Sequence, residues 1–230
     1  MFGFRSRIWR ESDVLDSSLQ SDAMASLDIK TEVERAQSRS TELELMIHNR
    51  QPIPLQGNRK YLIAGYWALM VDLHRSALQL LNPDLNLCGG GFALARPMIE
   101  ALLRIHLVAM GTDEQVELIR TDKFRTNFEG AAEQIDQLFA LDFFAKTFDK
   151  RVREALHSYT HSGAMQVARR FDGNNISPSY KPEERFDVVR MTTLAFAMGT
   201  VIITATLGFH PEHTRANEIC VEYTTKPGGA

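Results

Sequence analysis

The sequence predicts an all-α fold, a bundle of four or five main helices with short accessory helices, on three observations. Apolar residues recur at helical spacing along most of the chain, whereas the strict alternation typical of strands is scarce. Connections rich in proline, asparagine and glycine, at 49–58 and 82–91, separate long apolar segments. The 230 residues, 44% hydrophobic and 24% charged, fit a single helical domain. We expect this domain to span 1–230, with poorly ordered tails at 1–11 and 224–230.

Each predicted helix follows from apolar periodicity and from residues that start or stop helices. Residues 12–48 are acidic and polar, with apolar positions spaced for one long helix or two shorter ones. Gly111 ends the helix predicted over 92–110, and Thr112 is a suitable N-cap for the next helix. The other helices are predicted at 59–81, at 112–122, at 126–141, from a cap at Asp142 to near Arg170, from Pro182 to Phe209, and after Pro211.

The run from Met191 to Phe209 contains nineteen residues without a charge, which is the length of a marginal membrane span. It also contains five threonines and two glycines, and no other segment resembles a span. A central helix buried on all sides of a soluble bundle therefore explains it better than a membrane span.

The cysteine content and the first residues predict a cytoplasmic protein without a membrane partner. Cys88 and Cys220 are the two cysteines, and they lack CxxC spacing, which fits a reducing compartment. The start "MFGFRSRIWR" lacks the continuous apolar run of a signal peptide.

Three charged residues follow one another at intervals of four on the helix predicted over 92–110. Arg96, Glu100 and Arg104 share a line on that helix, whereas most of its other positions are apolar. One interpretation is an exposed, salt-bridged stripe that contributes little to stability. The other is a partly buried ionic network that faces another helix.

The segment "LHSYTHSGAMQVARR" (156–170) contains two histidines at helical spacing and several basic residues. Arg153, His157 and His161 lie four residues apart, so they share one face. Residues 146–170 contain six Lys and Arg against two Asp and Glu, whereas residues 11–44 contain nine acids against three bases. This segregation fits a basic surface for a polyanion such as RNA, or an acidic helix packed against a basic one.

The spacing of the two histidines also fits a metal site. An HxxxH pair on a helix can present two imidazoles to one ion, with Glu100 or His74 as the third ligand. There is no GxSxG nucleophile motif and no GxxxxGK[ST] phosphate loop, and the glycines at 89–91 lack a preceding strand. We therefore expect no cofactor and rank a metal site below a metal-independent one.

Two motifs together support a resemblance to a known group of proteins. "LARPMIEALLRI" (94–105), followed by "LHSYTHSG" (156–163), resembles a group of uncharacterised bacterial proteins that is similar to the HEPN superfamily of helical bundles. The resemblance implies a homodimer and a metal-independent RNase of a toxin–antitoxin or phage-defence system. Such enzymes use an arginine followed at short spacing by a histidine, and Arg151 and His157 match that spacing. Val152 departs from the pattern, because a polar residue usually follows the arginine.

These patterns define a hypothesis for the site. The residues expected to act in catalysis are His157, His161, Arg151, Arg153, Tyr159 and Glu100. The residues expected to bind substrate are Arg96, Arg104, Lys150, Arg169 and Arg170. The expected partners are RNA, a second copy of the chain, and an antitoxin or other defence protein. The alternative is a non-catalytic interaction module in which the same cluster is structural.

Overall fold

The computed structural model describes most of residues 29–224 and places the larger part of them in helices. The tails expected at 1–11 and 224–230 lie outside the described residues, apart from Thr224. The short internal gaps in the described chain are 86, 126–127, 140–143, 148–149, 162–163, 173 and 177–178.

The described residues form an all-α protein with one minimal hairpin, so the predicted fold class is confirmed. Strands β1 (Phe171–Asp172) and β2 (Asn175–Ile176) pair antiparallel, with Phe171 opposite Ile176. The helices are, in chain order, α1 (Ile29–His48), α2 (Asn58–Leu81), α3 (Cys88–Met110), α4 (Asp113–Arg120), α5 (Phe128–Phe139), α6 (Phe144–Thr147), α7 (Lys150–Thr160), α8 (Ala164–Ala168), α9 (Pro182–Leu207) and α10 (His210–Thr224).

Helices α3 and α9 lie at the centre of the bundle. Helix α3 packs against α2, α4, α5, α7 and α9, and α9 packs against α1, α2, α3 and α10. Both central helices are apolar on most of their faces, which explains why each is buried by several neighbours. The polar face of α3 contacts α7 through Arg96.

Helix α9 is long and apolar enough to cross a membrane, but 83% of its most apolar window is buried inside the bundle. Its threonines are accommodated because each hydroxyl donates to a carbonyl one turn earlier, for example Thr193 to Val189 O at 2.7 Å and Thr204 to Thr200 O at 2.7 Å. The helix is therefore a core helix, as predicted for the run from Met191 to Phe209.

The helix predicted over 92–110 begins earlier than expected, at Cys88, so the prediction of a loop through Gly91 was wrong. Glycine permits close packing at this point: a methyl group built on Gly91 would lie 2.5 Å from Cγ of Leu81 on α2. Tertiary packing thus outweighs the low helix propensity of three consecutive glycines.

The single helix predicted from Asp142 to near Arg170 was also wrong. Asp142 lies outside the described residues, and the segment contains the separate helices α6, α7 and α8. Helix α7 ends at Thr160, followed by a turn at His161.

The predicted helix caps are confirmed where the structure describes them. Thr112 and Gln115 form a reciprocal capping box at the start of α4, and Pro182 is at the start of α9. Helix α9 ends at Gly208, whose φ of 74° favours glycine. The short helix predicted after Pro211 is longer than expected and forms α10.

Candidate functional site

One face of α3 meets α7 and the segment that follows it. Gly89, Ala93, Arg96 and Glu100 are spaced by fours and threes, so they lie along this face. Pro97 lies inside the helix rather than in its first turn, and it has no N–H to donate to Ala93 O. The Thr160 hydroxyl on α7 lies 3.5 Å from that carbonyl oxygen, but its proton is donated to Leu156 O at 2.8 Å. Because Pro97 lacks an N–H, the carbonyl oxygen of Ala93 loses its helical donor, and it faces Thr160 of α7.

The principal polar contact between these helices joins Arg96 and His157. Nη1 of Arg96 lies 2.6 Å from Nδ1 of His157, and because a guanidinium only donates, Nδ1 is the acceptor. The ring centroids of His157 and His161 are 4.4 Å apart, and both side chains are exposed. The expected sharing of one face is therefore confirmed, and two solvent-accessible imidazoles lie next to a fixed cation.

Glu100 holds the other side of Arg96. Nε of Arg96 donates to Oε1 of Glu100 at 2.7 Å, with the arginine side chain 24% and the glutamate side chain 40% exposed. Arg104 is half-buried and forms no ion pair with the described part of the chain. The predicted stripe is therefore a half-exposed pair that faces α7 through Arg96, and it combines features of both interpretations.

The basic residues at the start of α7 are engaged within the chain or lie at its surface. Arg153 forms an ion pair with Glu129 of α5 at 3.0 Å, and Lys150 lies 3.7 Å from Glu154 in an exposed pair. The backbone of Arg151 belongs to α7, whereas its side chain lies outside what the structure describes. The arginine that contacts His157 is thus Arg96, which sequence spacing had assigned to substrate binding.

Tyr159 is buried and Arg169 is half-buried, and the two side chains contact each other rather than the exposed histidines. Tyr159 is 1% exposed, packs against Phe92, and has a side-chain hydrogen bond with Arg169. Burial raises the pKa of the Tyr159 hydroxyl to about 12. Both guanidinium Nη atoms of Arg169 donate to the Glu184 carboxylate, which is 10% exposed. These contacts link α7 and the hairpin region to α9.

Of the two third ligands considered for a metal site, Glu100 is bonded to Arg96 beside His157, whereas His74 lies in the core, away from the exposed histidines. His74 is fully buried, with Nδ1 3.1 Å from the Ser40 hydroxyl and Nε2 3.0 Å from the Thr193 hydroxyl. Within the described ranges of the chain, no group of three or more His, Cys, Asp and Glu side chains is arranged to hold a metal ion.

His74 belongs to a buried polar cluster that sequence reasoning missed. The Ser40 hydroxyl donates to Glu44 at 3.1 Å, and Glu44 in turn accepts from Arg75, whose Nε lies 2.8 Å away. Burial lowers the pKa of His74 to about 3, so the ring is neutral near pH 7. The cluster borders a groove of about 500 Å³ between α1, α2 and the turn at 82–85. Helical periodicity gave no signal for it, because the partners of His74 come from α1 and α9.

The comparison with protein families gives one match. The model of a family of unknown function (DUF6988) matches residues 68–226, and the chain belongs to this family. Arg96, Glu100, His157 and His161 all lie within the matched range. Neither the comparison with curated proteins nor the comparison with solved structures gave a match.

Proposed function

We propose that this protein binds RNA at the exposed surface formed by Arg96, His157 and His161, and that it cleaves RNA there without a metal ion. The observation that supports the proposal most strongly is the 2.6 Å contact between Arg96 and His157, with the ring of His161 beside that of His157 at 4.4 Å between centroids and tilted by 48°. General acid–base catalysis at neutral pH requires an accessible imidazole, and phosphoryl transfer requires a fixed cation beside the phosphate.

The geometry suggests a division of roles. Two of the five N–H groups of Arg96 are used by Glu100 and His157, which leaves others for a phosphate oxygen. The ring nitrogens of His161 have no hydrogen-bond partner in the described chain, so His161 is the base that takes the proton from the 2′-OH. The 2′ oxygen then attacks the adjacent phosphorus, the bond to the 5′ oxygen breaks, and the leaving 5′ oxygen takes a proton from water, which gives a 2′,3′-cyclic phosphate and a 5′-hydroxyl. His157, fixed by Arg96, holds the ring of His161 in place.

The proposal includes the HEPN-like fold, the homodimer, the cytoplasmic location and the role in bacterial defence. The two motifs behind the resemblance are adjacent in space, because the first carries Arg96 and the second carries His157 and His161. In the superfamily the arginine precedes the histidine on the same helix, as Arg151 precedes His157 in the sequence. In this proposal the arginine beside His157 is Arg96, which lies on another helix.

A second candidate function is a non-catalytic helical interaction module. Two of the basic side chains expected at the site are already paired within the chain, Arg153 with Glu129 and Arg169 with Glu184. In this case the contact between Arg96 and His157 is a link that holds α7 on α3.

RNA binding tests the proposal and separates the two candidates. We expect a fluorescent single-stranded RNA to bind the full chain, with an affinity that falls as salt concentration rises. Arg96→Gln and Arg104→Gln should each weaken binding, whereas Arg125→Gln, at a side chain 75% exposed and paired only at 4.0 Å, serves as the matched control. Binding that is absent, or equal in all three variants, would contradict the proposal and favour the interaction module.

A further inference from the structure

The first turn of α3 has backbone donors without an obvious acceptor. Helix α3 starts with Cys88-Gly89-Gly90-Gly91, and the first N–H groups of any helix have no partner within the helix itself. The N–H of Gly90 donates to Leu87 O at 3.0 Å, whereas the N–H of Gly89 has no acceptor in the part of the chain that the structure describes. The N-cap residue, Leu87, supplies no side-chain hydrogen bond, and the first turn contains no acidic residue. The positive end of the helix dipole therefore has no negative group from the first turn or the N-cap.

Tyr180 provides an independent sign that a ligand belongs there. Its side chain is 9% exposed, and its hydroxyl is buried without a hydrogen-bond partner in the part of the chain that the structure describes. A methyl group built on Gly89 would lie 2.9 Å from this hydroxyl, so the hydroxyl is directed at the start of α3. Buried tyrosine hydroxyls normally have a hydrogen-bond partner. This one has none, and it lies at a helix N-terminus without a capping side chain or an acidic residue.

Two arginines lie beside the same turn. Nη2 of Arg170 would collide with a methyl group on Gly89, and Arg170 is exposed and forms no ion pair within the described residues. Arg185 donates to Leu81 O at 2.9 Å, but its buried Nε has no partner in the same part of the chain. Burial raises the pKa of the Cys88 thiol, and the positive charges of Arg185 and Arg170 oppose that rise.

We infer that the first turn of α3, together with Arg170 and Tyr180, binds the phosphate of a phosphomonoester. Glycine without a Cβ lets a phosphate oxygen approach the backbone N–H groups closely, and these donors suit an anion at a helix N-terminus. The guanidinium of Arg170 supplies charge, and the hydroxyl of Tyr180 supplies the donor that otherwise has no acceptor.

This site is separate from the histidine surface and does not depend on the proposed function. Arg96 follows Gly89 by seven residues on the same face of α3, which corresponds to about 10 Å along the helix axis. A ligand phosphate at Gly89 therefore does not contact His157. Phosphate binding that persists in His157→Gln and His161→Gln variants would distinguish the two sites.

The first experiment uses inorganic phosphate as the probe, with calorimetry and thermal unfolding of the full chain and with chloride at matched ionic strength as reference. We expect phosphate to bind and to raise the unfolding temperature. Arg170→Gln should weaken binding about ten-fold or more, because a charge-assisted hydrogen bond is lost. Arg125→Gln is the matched control, and it should bind phosphate as the wild type does.

Tyr180→Phe tests the hydroxyl alone. The ring should keep its packing against Phe92, where the centroids are 4.8 Å apart, so the variant should unfold no earlier than the wild type without phosphate. With phosphate, its unfolding temperature should rise less. No heat of binding with the wild type, or phosphate binding unchanged by both substitutions, would overturn the inference.

A second arm identifies the source of the phosphate. A short RNA with a 5′-phosphate is compared with the same RNA without it, in wild type and Arg170→Gln protein. If the terminal phosphate increases affinity in the wild type alone, the ligand is a nucleic-acid end. If inorganic phosphate binds and the terminal phosphate adds nothing, the ligand is a small phosphomonoester, and the site stands in both cases.

Discussion

Arg96 of α3 and His157 of α7 are separated by 61 residues in the chain, yet their side chains are joined by a contact of 2.6 Å. The contact defines the protonation of one ring nitrogen, because Nδ1 accepts from the guanidinium and therefore carries no proton. It also links the two sequence motifs directly. The two motifs are far apart in the sequence, but they form one surface in the folded protein.

Glu100→Gln should change stability only slightly. The pair with Arg96 is half-exposed, so its loss should cost less than about 1 kcal/mol in the free energy of unfolding. Urea denaturation, with the exposed Glu154→Gln as control, measures this. A loss of about 3 kcal/mol would show instead that the stripe behaves as a buried ionic network.

Glu184→Gln should destabilise the protein strongly. The substitution leaves the half-buried Arg169 without its carboxylate and weakens the bond that Glu184 accepts from Lys181 N at 3.1 Å. We expect a loss of about 2–3 kcal/mol in the free energy of unfolding. Glu154→Gln, at a side chain 65% exposed, should stay within about 0.5 kcal/mol of the wild type. Equal effects of the two substitutions would show that the interior pair does not anchor the hairpin region.

Alanine at two helical glycines should change stability in opposite directions. At Gly91 the added methyl group would press on the Leu81 side chain, so we expect a loss of about 1–3 kcal/mol. At Gly65 no atom lies within 4 Å of the added group, so the lower entropy of the unfolded chain should add about 0.5–1 kcal/mol. Thermal unfolding of both variants tests this, and a stabilising Gly91→Ala would contradict the close approach of α2 and α3.

Stability should fall as the solution becomes acidic, because buried histidines resist protonation. The pKa of His74 is about 3 in the folded protein, whereas a histidine in an unfolded chain has a pKa of about 6.5. The unfolded chain thus binds the proton first, and stability present above about pH 6.5 is lost between about pH 6.5 and 3. At about pH 5 the loss should be about 2 kcal/mol for His74.

Urea denaturation at several pH values, for wild type and His74→Gln, measures this dependence. His106 adds to the loss, because burial lowers its pKa to about 4 against the opposing effect of its bond to Leu102 O. The raised pKa of Glu32, caused by burial, acts in the opposite direction. The difference in the pH dependence of the free energy of unfolding between wild type and His74→Gln gives the contribution of His74. The same pH dependence in both proteins would contradict the buried, neutral state of His74.

The fold was largely predictable because local signals and burial agree in its main helices. The boundaries at Gly111, Thr112 and Pro182 follow from cap chemistry that acts within a few residues. The start of α3 was not predictable from local sequence. It depends on the packing of Leu81, from another helix, against Gly91. The break after Thr160 was missed because the apolar positions of α7 and α8 continue the same spacing.

The site was predictable only in part. The shared face of His157 and His161 follows from a spacing of four residues, whereas the pairing of His157 with Arg96 depends on how α7 crosses α3. The burial of Tyr159 follows from the apolar face of α7, formed with Val152, Ala155 and Leu156. That face could have been recognised in the sequence, because these positions are three to four residues apart.

Cleavage of a defined RNA oligonucleotide in EDTA, followed by analysis of the product ends, tests the central claim most directly. The wild type should yield 2′,3′-cyclic phosphate ends. His161→Gln should reduce the rate by about two to four orders of magnitude with the fold intact. His210→Gln, an exposed histidine in α10, should cleave as the wild type does. If the wild type yields no cyclic phosphate ends, or if His161→Gln cleaves as fast as the wild type, the account of the histidine surface is wrong.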